Sequence, residues 1–240
     1  MINDNAFRSA HRSGSSWRLI LRLLRSHRAA RRLSADYASH HVRRSEGEYQ
    51  NTNFSSNVED LFLAANHLRT HYRAPAILIG HSLGGAAVLA AAHHIPEAKA
   101  VVTIGAPSDV AHVLHQVQAH LDDIERDGVA SVTLAGRSFP ISRRLVEDAK
   151  GQAIEHHVAS LRKALLVMHA SRDQTVGIEH TTAIFTTAKH PKSFVSLDSA
   201  DHLLSDGLDA AYAAEVLAVW ASRYVPQHEE NAGEDGMKAS

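Results

Sequence analysis

From residue 45 onward the chain alternates short apolar runs with longer stretches of helical spacing. Ala76–Ile79, Lys99–Ile104 and Ala164–His169 are almost continuously apolar, and Ser193–Leu197 is a fourth run of the same kind. Runs of this sort predict strands buried on both faces, as in a parallel sheet. Between them the apolar positions fall three and four apart. Ser56-x-x-Glu59 has capping-box spacing, and Val58, Leu61, Phe62, Ala65 and Leu68 share one face, so a helix is expected through about Arg69. Further helices are expected over Gly84–His94, Val110–Glu125, Ile178–Ala188 and Leu208–Trp220. A hairpin is expected with Val132–Leu134 and Phe139–Ile141 on either side of Ala135-Gly136. Strands alternating with helices predict an α/β fold, a doubly wound parallel sheet with helices on both sides.

Length and charge divide the chain into three parts. Its 240 residues suit one large domain. Residues 8–44 hold ten arginines and a single acidic residue, Asp36. Trp17, Ile20, Leu21 and Leu24 form an apolar stripe there, with Arg18, Arg22 and Arg25 largely off it. Three readings of this segment stand: a transit-peptide-like leader, an amphipathic arm for an anionic surface, or a solvated leader with no role. Residues 226–240 are acidic and poor in bulky apolar side chains, as a disordered tail is. The body, residues 45–225, reads as one domain of a cytoplasmic enzyme. There is no cysteine, which excludes disulfides, zinc-thiolate sites, iron–sulfur clusters and thiol catalysis. The net charge of −1 favours neither nucleic acid nor a membrane as partner, and the longest apolar run, around Ala86–Ala92, is too short to span a bilayer.

The chemistry is concentrated after the first strand. Gly80-His81-Ser82-Leu83-Gly84-Gly85 is G-x-S-x-G between a buried strand and an Ala-rich helix, the context of a nucleophile elbow. A serine on so tight a turn needs small neighbours at 80 and 84. The hydroxyl of Ser82 then projects above the sheet, and the N–H of Leu83, at the helix start, is placed to donate to an oxyanion.

A serine nucleophile needs a base, and the base needs an orienting carboxylate. In a wound sheet both come from loops at the carboxyl ends of later strands. Asp173 follows the ALLVMH strand and His202 follows the fourth strand, giving the chain order Ser, Asp, His. Asp198, Asp201 and Asp206 are rival orienting groups; Asp201 is too close in sequence to aim at the same ring. His81 is expected to pack under the elbow and His169 to be a hydrogen-bonded strand-end residue.

With Ser82, Asp173 and His202 in place, residues 45–222 resemble the α/β-hydrolase superfamily. Within it they are similar to dienelactone-hydrolase-like serine hydrolases, a group often fused to an OsmC-type peroxide-reducing domain. The segments that carry this are SEGEYQNTNFSSNVEDL (45–61), LIGHSLGGAAVLAAAHHIPEAKAVVTIGAPSD (78–109), VTLAGRSF (132–139), ALLVMHASRDQTVGIEH (164–180) and HPKSFVSLDSADHLLS (190–205). The resemblance implies that Ser82, Asp173 and His202 are nucleophile, acid and base, and that residues 108–163 form a cap over the acyl site. Two departures are evident. No fused domain is expected. The strands that relatives carry before the helix at 56–69 have no counterpart in residues 1–44, where His40-His41-Val42-Arg43-Arg44 stands in place of a Gly-rich loop. The expected consequences are a truncated or replaced N-terminal part, an exposed edge at Ala76–Ile79 that favours pairing between chains, and no identified second oxyanion donor.

The remaining constellations are weaker. His67-x-x-x-His71 has metal-pair spacing but no third ligand, and neither a dinucleotide fingerprint nor a Walker lysine follows any strand. No cofactor and no metal are expected. The sequence therefore reads as a serine hydrolase acting on a small-molecule ester or related acyl compound. The alternatives are an impaired remnant or interaction protein lacking part of the sheet, and an acyl transferase or lactonase using the same triad.

Overall fold

The computed structural model describes residues 53–225, apart from 113, 114, 116, 135, 136, 151 and 153. The expectations for residues 1–44 and 226–240 lie outside the described residues.

Helix α1 spans Phe54–His71. It starts earlier than the Ser56-x-x-Glu59 spacing suggested. Asn53 is the N-cap: its side chain accepts the Ser56 N–H at 2.7 Å, and its own N–H donates to Ser56 Oγ at 3.0 Å. The reason is Phe54, which is fully buried and so belongs inside the helix. Phe62, expected on the buried face, is 39% exposed and meets the His94 ring edge-on.

Strands β1 (Ile77–His81), β2 (Ala100–Ile104), β5 (Ala164–His169) and β6 (Lys192–Ser196) form a parallel sheet in the order β1-β2-β5-β6. β2 and β5 are central and buried throughout, as their unbroken apolar runs require. Among the described residues β1 and β6 are edges. Successive side chains alternate faces. Leu78, Val101, Leu165 and Val167 face a cluster made with α1, α2 (Leu83–Ala91), α5 (Ile154–Ala159) and α6 (Ile178–Thr187). Ile77, Val102, Ile104, Leu166 and Met168 face the other side, covered by α7 (Gly207–Ala221) through Ala210, Ala213, Ala214, Leu217 and Ala218. The small alanines of α2 and α7 let both helices sit close to the strands.

The stretch between β2 and β5 falls into two parts. The hairpin β3 (Val129–Leu134) and β4 (Arg137–Ser142) packs with α3 (Leu121–Asp127) and α4 (Arg143–Ala149) around Val117, Ile124, Val132, Ile141, Leu145 and Val146, a separate small core. Ala149, Ile154, Val158 and Leu161 instead join the core under α2. Among the described residues the helix expected over Val110–Glu125 is not one continuous helix. Val110 and Ala111 lie in a turn, His112 and His115 have helical backbone, Gln118–His120 is a 3₁₀ turn, and α3 follows. Val110 and Val117 are both fully buried, one in the sheet core and one in the satellite core. One straight helix cannot serve both. Ser55 ties α1 to this insertion, its N–H and hydroxyl donating to the Asp148 carboxylate at 2.7 and 2.6 Å.

Candidate active site

Ser82 sits between β1 and α2 with φ 51° and ψ −129°, a strained conformation for a residue with a side chain. Its N–H is held by Ile104 O at 2.9 Å. The strain is accommodated by missing side chains around it. A Cβ on Gly80 would fall 2.2 Å from the Gly84 carbonyl oxygen, and one on Gly85 would fall 2.5 Å from the Ala106 Cβ. Leu83 opens α2, where backbone N–H groups have no acceptor within the helix. Its N–H is thus placed for an anion beside Ser82.

Asp173 lies in the loop after β5 and His202 in the loop after β6; both are buried. Three loops at one end of the sheet bring the groups into a line. Ser82 Oγ is 3.0 Å from His202 Nε2, and His202 Nδ1 is 2.7 Å from Asp173 Oδ2. The other carboxylate oxygen, Oδ1, accepts the N–H groups of Thr175 at 2.8 Å and Val176 at 2.9 Å. Burial works to raise the Asp173 pKa, but the His202 bond and these backbone donors outweigh it, so the carboxyl is held below its ordinary value. Asp173 is therefore an anion that fixes Nδ1–H on His202 and leaves Nε2 free to accept the Ser82 proton.

The rival carboxylates are engaged elsewhere. Asp201 accepts the Ser205 N–H, Asp206 caps α7 through the Leu208 N–H, and Asp198 is exposed. His169 is fully buried and donates Nε2–H to Val176 O at 2.8 Å, with Asp173 Oδ2 3.8 Å away. His67 and His71 stack at 4.4 Å, and among the described residues no group of three or more ligating side chains is placed to hold a metal.

Two contributions were not foreseen. Gly105 ends β2 with φ 55°, and a Cβ there would lie 3.3 Å from His202 Nδ1 and 3.4 Å from Asp173 Oδ2. β2 thus contributes a gap that the Asp173–His202 pair fills. The only signal was the Gly-Ala-Pro strand end. His81 does not merely pack under the elbow. Its Nε2–H donates to the His202 carbonyl oxygen at 2.8 Å, and the two rings lie 4.8 Å apart. The partner is 121 positions away, so no local pattern announces it.

Burial first, and then the His202 ring, push the His81 pKa from 6.5 down to about 3. The unfolded chain therefore binds a proton here below about pH 6.5, while the folded chain stays neutral until pH nears 3. Stability falls as pH drops through that window, by up to about 1.4 kcal/mol per pH unit for one proton. Urea midpoints measured between pH 6 and 4 should fall less steeply in His81→Gln than in the parent; equal slopes would refute the assignment.

The sequence profile of the family described as serine aminopeptidase, S33 matches residues 43–206. The chain belongs to this hydrolase family. The hydrolase is also similar to the esterase domain of a Rhodothermus marinus protein, at 45% identity over 74% of this chain and 72% of that one, with a TM-score of 0.60. Est1E from Butyrivibrio proteoclasticus is 17% identical over 72% of this chain and 71% of its own, with a TM-score of 0.54. A Paleococcus ferrophilus monoacylglycerol lipase is 15% identical over 75% and 79%, with a TM-score of 0.56. These two likenesses establish the shared α/β-hydrolase fold. No curated protein matches the hydrolase. Among its described residues no helix is long and apolar enough to cross a membrane.

Proposed function

We propose that this hydrolase cleaves a carboxylic ester through an acyl-enzyme on Ser82. The observation that carries the reading is the unbroken hydrogen-bond line from Asp173 through His202 to Ser82, at 2.7 and 3.0 Å. His202 Nε2 takes the Ser82 proton as Oγ attacks the ester carbonyl. Asp173 stabilises the imidazolium, and the Leu83 N–H donates to the tetrahedral oxyanion. His202 then gives its proton to the departing alcohol. Water repeats the sequence on the acyl-serine and releases the acid. The name of the Rhodothermus marinus relative, an esterase domain, favours an ester over a peptide. The sequence segments quoted above favour a dienelactone-hydrolase-like relationship within the superfamily.

A second reading, an impaired hydrolase acting as an interaction protein, is favoured by the edge position of β1 among the described residues. A fluorophosphonate probe separates the two. Esterase chemistry requires one covalent adduct by intact mass, mapped to the peptide containing Ser82. A folded protein that takes up no adduct would leave only the second reading.

A further inference from the structure

The acid loop is held from outside by a histidine of the insertion. His112, just beyond β2, donates Nε2–H to the carbonyl oxygen of Thr175 at 3.1 Å. That carbonyl belongs to the same peptide unit as the Val176 N–H, which donates to Asp173 Oδ1. One planar group therefore accepts from His112 on one side and donates to Asp173 on the other. Peptide groups linked in this way polarise each other and act as a rigid relay.

His112 is itself braced. Its ring meets the His180 ring edge-on, 4.3 Å between centroids and 68° between planes. His180, at the start of α6, accepts at Nδ1 from the Ser108 N–H at 3.2 Å and lies 2.9 Å from the Ser108 hydroxyl. Burial first, and then the His112 ring, hold the His180 pKa below its ordinary value, which suits an accepting nitrogen. Glu179, His169 and Asp109 act on the same ring more weakly, and His115 lies 6.0 Å from His112. The brace thus joins the loop after β2, the loop after β5 and α6.

We propose that His112 is a positioning residue for Asp173, coupling the segment after β2 to the triad's acid through the Thr175–Val176 peptide. It touches no reacting atom. Its role is to keep Asp173 Oδ2 at hydrogen-bonding distance from His202.

The inference rests on the triad reading above, and the test separates the two. Fluorophosphonate labelling rates are measured for the parent, His112→Phe and His112→Gln, each normalised to the final fraction labelled. Phe fills the space without a donor; the Gln amide N–H can replace Nε2–H. His112→Phe should label to full extent at about one-tenth of the parent rate, with the acid limb of the rate–pH profile moved to lower pH. A loosened Asp173 stabilises the imidazolium less. His112→Gln should recover most of the rate. Parent-like labelling of His112→Phe, or equal slowing of both variants, overturns the inference. No labelling of the parent overturns the triad reading, and this one with it.

Discussion

Replacing Ser82 with Ala lowers kcat on a short-chain ester by about a million-fold, and adding His202→Ala to that variant removes no more. The reason is mutual dependence. On the proposed mechanism His202 Nε2, 3.0 Å from Ser82 Oγ, has one task, to take its proton. Without the hydroxyl the imidazole has nothing to activate, and without the imidazole the hydroxyl is an ordinary alcohol. Steady-state kinetics of both single variants and the double variant check this. Losses that multiply would mean that the two side chains work independently and that the line through the site is not a catalytic unit.

Asp173→Asn lowers kcat by about ten-thousand-fold while the fold persists. The backbone contacts dictate the effect. Oδ1 faces two N–H donors, Thr175 and Val176, so the carbonyl oxygen of an introduced Asn must take that side. Its NH₂ group then faces His202 Nδ1 across what was a 2.7 Å bond. An NH₂ donates, so Nδ1 must become the acceptor and the ring proton moves to Nε2. A protonated Nε2 cannot take the proton of Ser82. The variant should keep the parent circular dichroism spectrum and lose fluorophosphonate labelling in parallel with turnover. A loss below about tenfold would mean that Asp173 does not set the tautomer.

The sheet was legible in the sequence because β2 and β5 are buried on both faces, which leaves an uninterrupted apolar run as their trace. The elbow was legible for a steric reason at Gly80, where a Cβ has no room. At Gly84 a Cβ would meet nothing within 4 Å, so the small residue expected there is not sterically required, and Gly85 makes the second close approach. Asp173 stood out over Asp198, Asp201 and Asp206 by its place at a strand end, and the distances bring it to His202. What escaped were features whose cause lies far along the chain. The region after Val110 reads as one amphipathic helix, yet its apolar residues serve two cores. The Asn53 cap was hidden behind an equally plausible Ser-x-x-Glu spacing. Gly105 and His81 act through residues about a hundred positions away.

The strand order has a consequence for how the protein comes into being. Ser82, Asp173 and His202 follow β1, β5 and β6, and every pairing in that sheet is parallel and closes a long loop. Such contacts form late, because the chain must lose loop entropy before they stabilise anything. The helices can form early and the β3–β4 hairpin is local. A chain with both but with β6 undocked does not have His202 within reach of Ser82. Its serine is then no more nucleophilic than one in a short peptide. On the mechanism proposed above, reactivity at Ser82 is then a marker of completed folding, and an immature chain is expected to be chemically silent until β6 is in place.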